Sequence, residues 1–163
     1  MAAGDTLCRL RAAAAAVTLT TDAAFEVANN QPLLAFDAAA DETARFQDIL
    51  PQNYFGVTGV TVILHCGMVS ATTGNVVMTA EWENQDGFDL DGDSFAAAQS
   101  VTQAVPGTAG QEFTVTIPFT DGAQMDSAGA GDMFRLRVTR DADNGSDTAT
   151  GDLRLYMIEI RET

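Results

Sequence analysis

Residues 112–119 constrain the fold more than any other part of the chain. Phe113, Val115, Ile117 and Phe119 take every second position, and Glu112, Thr114, Thr116 and Pro118 fill those between. Successive side chains of a strand point to opposite faces, so this segment is a strand with one face for a core and one for solvent. The same period recurs elsewhere. Val60, Val62, Leu64 and Cys66 oppose Thr61, Ile63 and His65; Val76, Met78, Ala80 and Trp82 oppose Val77, Thr79, Glu81 and Glu83; Phe134, Leu136 and Val138 oppose Arg135, Arg137 and Thr139. The expected core is Val62, Leu64, Met78, Trp82, Phe113, Val115, Ile117, Phe134, Leu136 and Val138.

Residues 153–160 break the rule. Leu153 and Leu155 share one phase and Ile158 and Ile160 the other, so either a bulge near Tyr156 and Met157 shifts the phase or both faces are covered. Weaker strands are expected over residues 33–36, 44–50 and 100–105. Turn clusters such as Ala71-Thr72-Thr73-Gly74-Asn75, Pro106-Gly107 and Asn144-Gly145 separate the segments,. About eight strands without βαβ spacing predict an all-β chain: an antiparallel two-sheet β-sandwich of jelly-roll type over residues 32–163. Residues 1–31 lack the period and end at Asn29-Asn30-Gln31-Pro32. They are expected to form an N-terminal arm, with a short Ala-rich helix over residues 10–17 that needs a partner surface to hold it.

Apolar residues make up 46% of the sequence, too many for wholesale disorder, and no stretch nears the roughly 18 apolar residues that span a bilayer. Twenty-three acids oppose eight bases, all arginine, for a net charge of −15. Nucleic acid and anionic membranes are therefore not expected partners, because phosphate contacts need clustered positive charge. Arg9 and Arg11 precede an apolar run over residues 12–17 that is too short for an export signal, so residence without export is expected,.

No catalytic apparatus is legible. Cys8 and Cys66 stand 58 positions apart with one histidine, His65, which is too few ligands for a structural zinc. They read as two separate thiols, with a disulfide left open. His65 and Cys66 are neighbours on a strand and point to opposite faces, so they cannot act as a nucleophile–base pair. Glycoside hydrolysis needs two carboxylates across one bond, and 23 acids make any such pair uninformative,. GxSxG, HExxH, P-loop and GxGxxG patterns are missing. The chain is expected not to be an enzyme and to need no cofactor.

Two acidic loops invite a cation. Asp89-Leu90-Asp91-Gly92-Asp93 resembles the start of a calcium loop, but Ser94 stands where an EF-hand needs glycine and Ser100 where it needs a bidentate glutamate,. Asp141-Ala142-Asp143-Asn144-Gly145-Ser146-Asp147 reads as a solvated connection between the last two strands,. No metal site is assigned to either. Trp82 and most phenylalanines fall on the inward phase, so core packing is preferred over a sugar-stacking surface.

Several stretches together resemble small β-sandwich proteins of tailed bacteriophages and prophages. They are Phe36-Asp37 with Asp41-Glu42, residues 57–65, Thr73-Gly74-Asn75-Val76-Val77, residues 93–98, residues 106–110, Phe119-Thr120-Asp121-Gly122 and residues 134–141. The resemblance covers residues 33–161 and leaves out the arm. It implies a virion structural protein: a capsid decoration (cement) protein, a homotrimer on the capsid exterior whose partner is the major capsid protein. The first alternative is a tail-fibre or host-binding jelly-roll module, disfavoured by the lack of shaft sequence. The second, of a different class, is a calcium-dependent carbohydrate-binding module.

The final two strands are expected to pair as a hairpin around Asn144 and Gly145. That places Arg137 opposite Arg154 with Arg135 alongside, a like-charge face that needs carboxylates from a neighbouring strand or a neighbouring subunit. Arg135, Arg137 and Arg154, with Arg9 and Arg11 of the arm, are the candidate interface residues.

Overall fold

In a computed structural model that describes residues 2–87, 89 and 94–163, the chain forms ten strands. They are β1 (Thr6–Arg11), β2 (Ala24–Ala28), β3 (Gln31–Phe36), β4 (Glu42–Ile49), β5 (Val60–Met68), β6 (Asn75–Asn84), β7 (Gln99–Ala104), β8 (Glu112–Phe119), β9 (Met133–Arg140) and β10 (Leu153–Glu162). Two antiparallel sheets result. One runs β2-β3-β10-β5-β8, with β1 also on β10; the other runs β4-β9-β6-β7. This is the expected sandwich, its eight expected strands being β3 to β10.

The alternating segments bury the faces read from their period. In β8, Val115, Ile117 and Phe119 are buried while Thr114, Thr116 and Pro118 are exposed. Pro118 is tolerated because β8 is an edge strand, where a missing N–H leaves no ladder partner wanting,. Phe113 is only half-buried, at the open end of that edge. Trp82 of β6 stacks on Phe134 of β9, ring centroids 4.2 Å apart, and tilts against Phe119 of β8 at 6.0 Å. One aromatic cluster thus ties the two sheets together.

Residues 1–31, expected as an arm, contribute two strands to the six-stranded sheet. β1 pairs with β10 and β2 with β3. The expected helix is replaced by the end of β1 and a single 3-10 turn, Ala12–Ala14. The surface that holds this segment is the chain's own: Ala16 and Asp22 bridge to Arg45 and Thr43 of β4. Strand pairing along a free edge satisfies backbone groups that a short isolated helix leaves marginal in water.

The expected final hairpin does not form. β9 pairs with β4 and β6, and β10 with β5, β3 and β1, so the chain changes sheets between them. Arg137 therefore faces Arg45 on one side and Glu81 on the other, not Arg154.

Phe134→Ala is expected to cost about 3–5 kcal/mol in chemical denaturation, since it removes a fully buried ring from the Trp82 stack,. Phe113→Ala, at the half-buried edge, should cost clearly less; equal losses would contradict this packing.

Candidate functional site

β10 shares one edge between two strands. β3 pairs with it through Leu155 and β1 from Met157 onward, leaving Tyr156 without a partner on that edge. On the other edge Leu155 faces Cys66 and Met157 faces His65, so Tyr156 is the extra residue of a bulge,. The bulge resolves the phase break, because Leu153, Leu155, Ile158 and Ile160 are all buried. It also turns Tyr156 onto the outer face of the sheet, where the phenol lies across Gly67 of β5. A Cβ at Gly67 would stand 2.1 Å from the tyrosine oxygen, so only glycine lets the ring lie there,.

Two hollows meet at this ring. One of about 240 Å³ is lined by Asn29, Gln31, Arg154 and Tyr156 among others, and one of about 290 Å³ by Arg11, Gln31, Pro32, Tyr156 and Met157 among others. They share Gln31 and Tyr156, and no carboxylate lines either. The second opens where β3 leaves β10, in a stretch that includes Pro32, which has no N–H to offer,. Asn29 and Asn30, with φ of 50° and 63°, form the two-residue turn that carries β2 into β3 beside the first hollow,.

The polar groups around the ring are held in place. Arg154 donates two hydrogen bonds to Glu26, at 2.6 and 3.2 Å, and this bond to Glu26 raises the guanidinium above its ordinary range,. Burial raises the Tyr156 phenol, partly offset by Arg154, so the ring presents a neutral hydroxyl at pH 7,. Further along the face, Glu159 accepts from Arg161 at 2.7 Å and from Thr6. Arg9 stands 4.0 Å away and His65 3.8 Å; His65 also meets Glu112 at 2.9 Å.

A third hollow, of about 260 Å³, lies on the four-stranded sheet beside Arg45, Gln47 and Arg135. Its polar groups are engaged: Arg45 binds Asp22, Gln47 binds Gln85, and Arg135 binds Glu83. The Tyr156 hollows offer more to a ligand.

The candidate interface arginines separate. Arg135 and Arg137 find carboxylates on the neighbouring strand of the same chain, Glu83 and Glu81, beneath the ring of Phe95. Arg154, Arg9 and Arg11 lie on the other sheet; Arg11 lines the second Tyr156 hollow and makes no ion pair among the described residues. Cys8 and Cys66 are free thiols, and burial pushes the Cys8 thiol up to about 12 and the Cys66 thiol higher. Cys66 is buried while His65 faces outward, as their adjacency on one strand requires.

In the first acidic loop, Leu90, Asp91, Gly92 and Asp93 lie outside the described residues. In the second, Asp141 and Asp143 gather with Asp41, their carboxylate oxygens within 4.8 Å of one another, and Asp41 raises the Asp143 carboxyl. These groups, Asp41 and Asp143 exposed and Asp141 half-buried, could hold a cation. Asp147 instead turns inward to Arg140. Sequence reasoning missed Tyr156, Gly67 and Gln31 as site residues. The one available signal was the broken phase at Tyr156, read as a packing feature alone.

No family model matches the chain, and no curated protein matches it. Solved structures do share its fold. The CBM22-1–GH10 modules of the N-terminal endo-1,4-β-D-xylanase 10B of Clostridium thermocellum, complexed with xylohexaose, align with a TM-score of 0.50 and 13% identity over 97% of this chain and 28% of that one. The Agl-KA catalytic domain aligns with a TM-score of 0.50 and 13% identity over 99% of this chain and 28% of that one. The CBM22-2 xylan-binding domain of Paenibacillus barcinonensis Xyn10C aligns with a TM-score of 0.49 and 11% identity over 96% and 99%. This chain thus spans little more than a quarter of the first two. At these identities the likeness defines a class by fold alone, the antiparallel β-sandwich.

Glu159 sets a pH response for this face. The bond from Arg161, then that from Thr6, lowers its carboxyl to about 2 from an ordinary 4.5. A depressed folded value means stability that is complete above the ordinary value and lost as pH falls toward about 2,. The melting temperature is expected to drop between about pH 4.5 and pH 2,. Glu159→Gln should lower it at pH 7 and flatten that acid drop; an unchanged profile would show that Glu159 is not held in this way.

Proposed function

We propose that the chain is a non-catalytic carbohydrate-binding sandwich that receives a sugar ring on the outer face of its six-stranded sheet, against Tyr156. The observation that carries this reading is the Tyr156 phenol, its hydroxyl end over Gly67, at the junction of two hollows. A sugar presents C–H groups on its ring face and hydroxyls at its rim. A flat aromatic meets the first, and a few placed polar groups, here Gln31, Asn29 and Arg154, meet the second. Cutting a glycosidic bond needs two carboxylates about the site, and the residues lining these hollows include none,. Binding without hydrolysis follows. The shared sandwich of a xylanase's CBM22-1–GH10 modules supports this reading at the level of fold, and calcium has no part in it.

Tyr156→Ala is expected to weaken binding to soluble xylan or to xylo-oligosaccharides by about tenfold, with the melting temperature nearly unchanged. Affinity electrophoresis and calorimetry read both. Undiminished binding by this variant would remove the platform from the account.

Attachment to a phage capsid is a second reading, favoured by the apolar side chains between β4 and β5. Phe55 and Val57 stand 71% and 63% exposed, and Ile49, at the end of β4, 56%, more apolar surface than a solvated connection needs. A trimeric decoration protein would bury such residues against the major capsid protein. Hundreds of copies per purified virion by mass spectrometry would support it, a few dozen would point to a host-binding fibre module, and none would end the virion reading.

A further inference from the structure

From the distribution of its arginines we infer that the Tyr156 site takes an acidic glycan, one whose sugar ring carries an anionic group that Arg11 pairs; this rests on the reading of Tyr156 as a sugar platform. Cations are scarce in a chain with 23 acids and eight arginines. Six of the eight each hold a carboxylate within hydrogen-bond distance: Arg45, Arg135, Arg137, Arg140, Arg154 and Arg161. The two exceptions sit together. Arg9 is 61% exposed and reaches only to 4.0 Å from Glu159, whose oxygens Thr6 and Arg161 already occupy. Arg11 is exposed and makes no ion pair among the described residues. Both belong to β1 and, separated by buried Leu10, face the same side of the sheet as Tyr156.

Arg11 stands opposite Met157 in the pairing of β1 with β10, one residue from Tyr156, and lines the hollow that Tyr156 and Gln31 also line. A ring stacked on the phenol would therefore have a free guanidinium at one rim. Guanidinium hydrogens match the two oxygens of a carboxylate, and such a pair is stronger than a neutral hydrogen bond. The acidic balance of the whole protein does not override this. Charges farther than a Debye length, about 8 Å at physiological salt, are largely screened. Beside the other hollow Glu26 is bound by Arg154, while Glu112 and Asp152 also act on its lining residues Tyr156 and Arg154.

The test uses three oligosaccharides on the intact chain: a glucuronate-bearing xylo-oligosaccharide, the same compound with its carboxyl reduced to an alcohol, and a sulfated oligosaccharide. The glucuronate form is expected to bind about three- to tenfold more tightly than the reduced form, a margin that shrinks as salt rises. Arg11→Gln is expected to abolish that margin, with the fold checked by melting temperature. Stronger binding of the sulfated compound would identify a sulfate ester, rather than a carboxylate, as the anion. Equal affinity for the glucuronate and reduced forms, both lost in Tyr156→Ala, would overturn the acidic-glycan inference and leave the platform standing. Binding of none of the three would overturn the platform and the inference with it.

Discussion

Arg140 carries its charge fully into the interior and joins the two sheets there. From the last position of β9 it holds Asp147 by two hydrogen bonds, at 2.9 and 3.1 Å, and the carbonyls of Ala149 and Gly151 at 3.0 and 2.8 Å. Asp147 in turn accepts the N–H of Val77 on β6. The connection after β9 is thus pinned along the four-stranded sheet before it delivers β10 to the other sheet. The pair brings little net stability, because desolvating two ions roughly offsets their attraction, yet losing one partner would strand a buried charge at about 3–5 kcal/mol. Its effect is on specificity. Its bonds hold the connection in the path that takes β10 to the other sheet and not back along β9 as a hairpin.

Delivery of β10 to the centre of the six-stranded sheet has a second consequence. β10 offers one edge to two strands, and its register must shift where β3 gives way to β1. The bulge at Tyr156 absorbs that shift, keeps Ile158 and Ile160 in the core, and leaves one aromatic side chain outside. Core phase and site are therefore one event. Gly67 completes it from β5, since any side chain there would lift the ring from the sheet.

The charge distribution follows the same division. On the four-stranded sheet Arg135 and Arg137 are closed off by Glu83 and Glu81 and covered by Phe95. On the six-stranded sheet Glu159 gathers Thr6, Arg161, Arg9 and His65, and only the end of β1 keeps a cation uncommitted among the described residues. One outer face has its arginines paired. The other retains polar capacity beside an open hollow.

Local sequence determined the strands β3 to β10, their buried faces and the sandwich class, because a period of two and its turn residues are set by chemistry within a few positions. The core was legible down to Trp82 and Phe134 for that reason, and the irregularity at Tyr156 was visible as a break in phase. β1 and β2 were not legible, since edge strands such as Ala24–Ala28 bury too little to show an alternation. Sheet membership was not legible either: the pairing of Arg137 with Glu81 instead of Arg154 depends on strands far apart in the chain. The candidate site joins Arg11, Gln31, Gly67 and Tyr156 from four strands. No spacing along the chain encodes their proximity; only the tertiary pairing of β1, β3 and β5 about β10 brings them together.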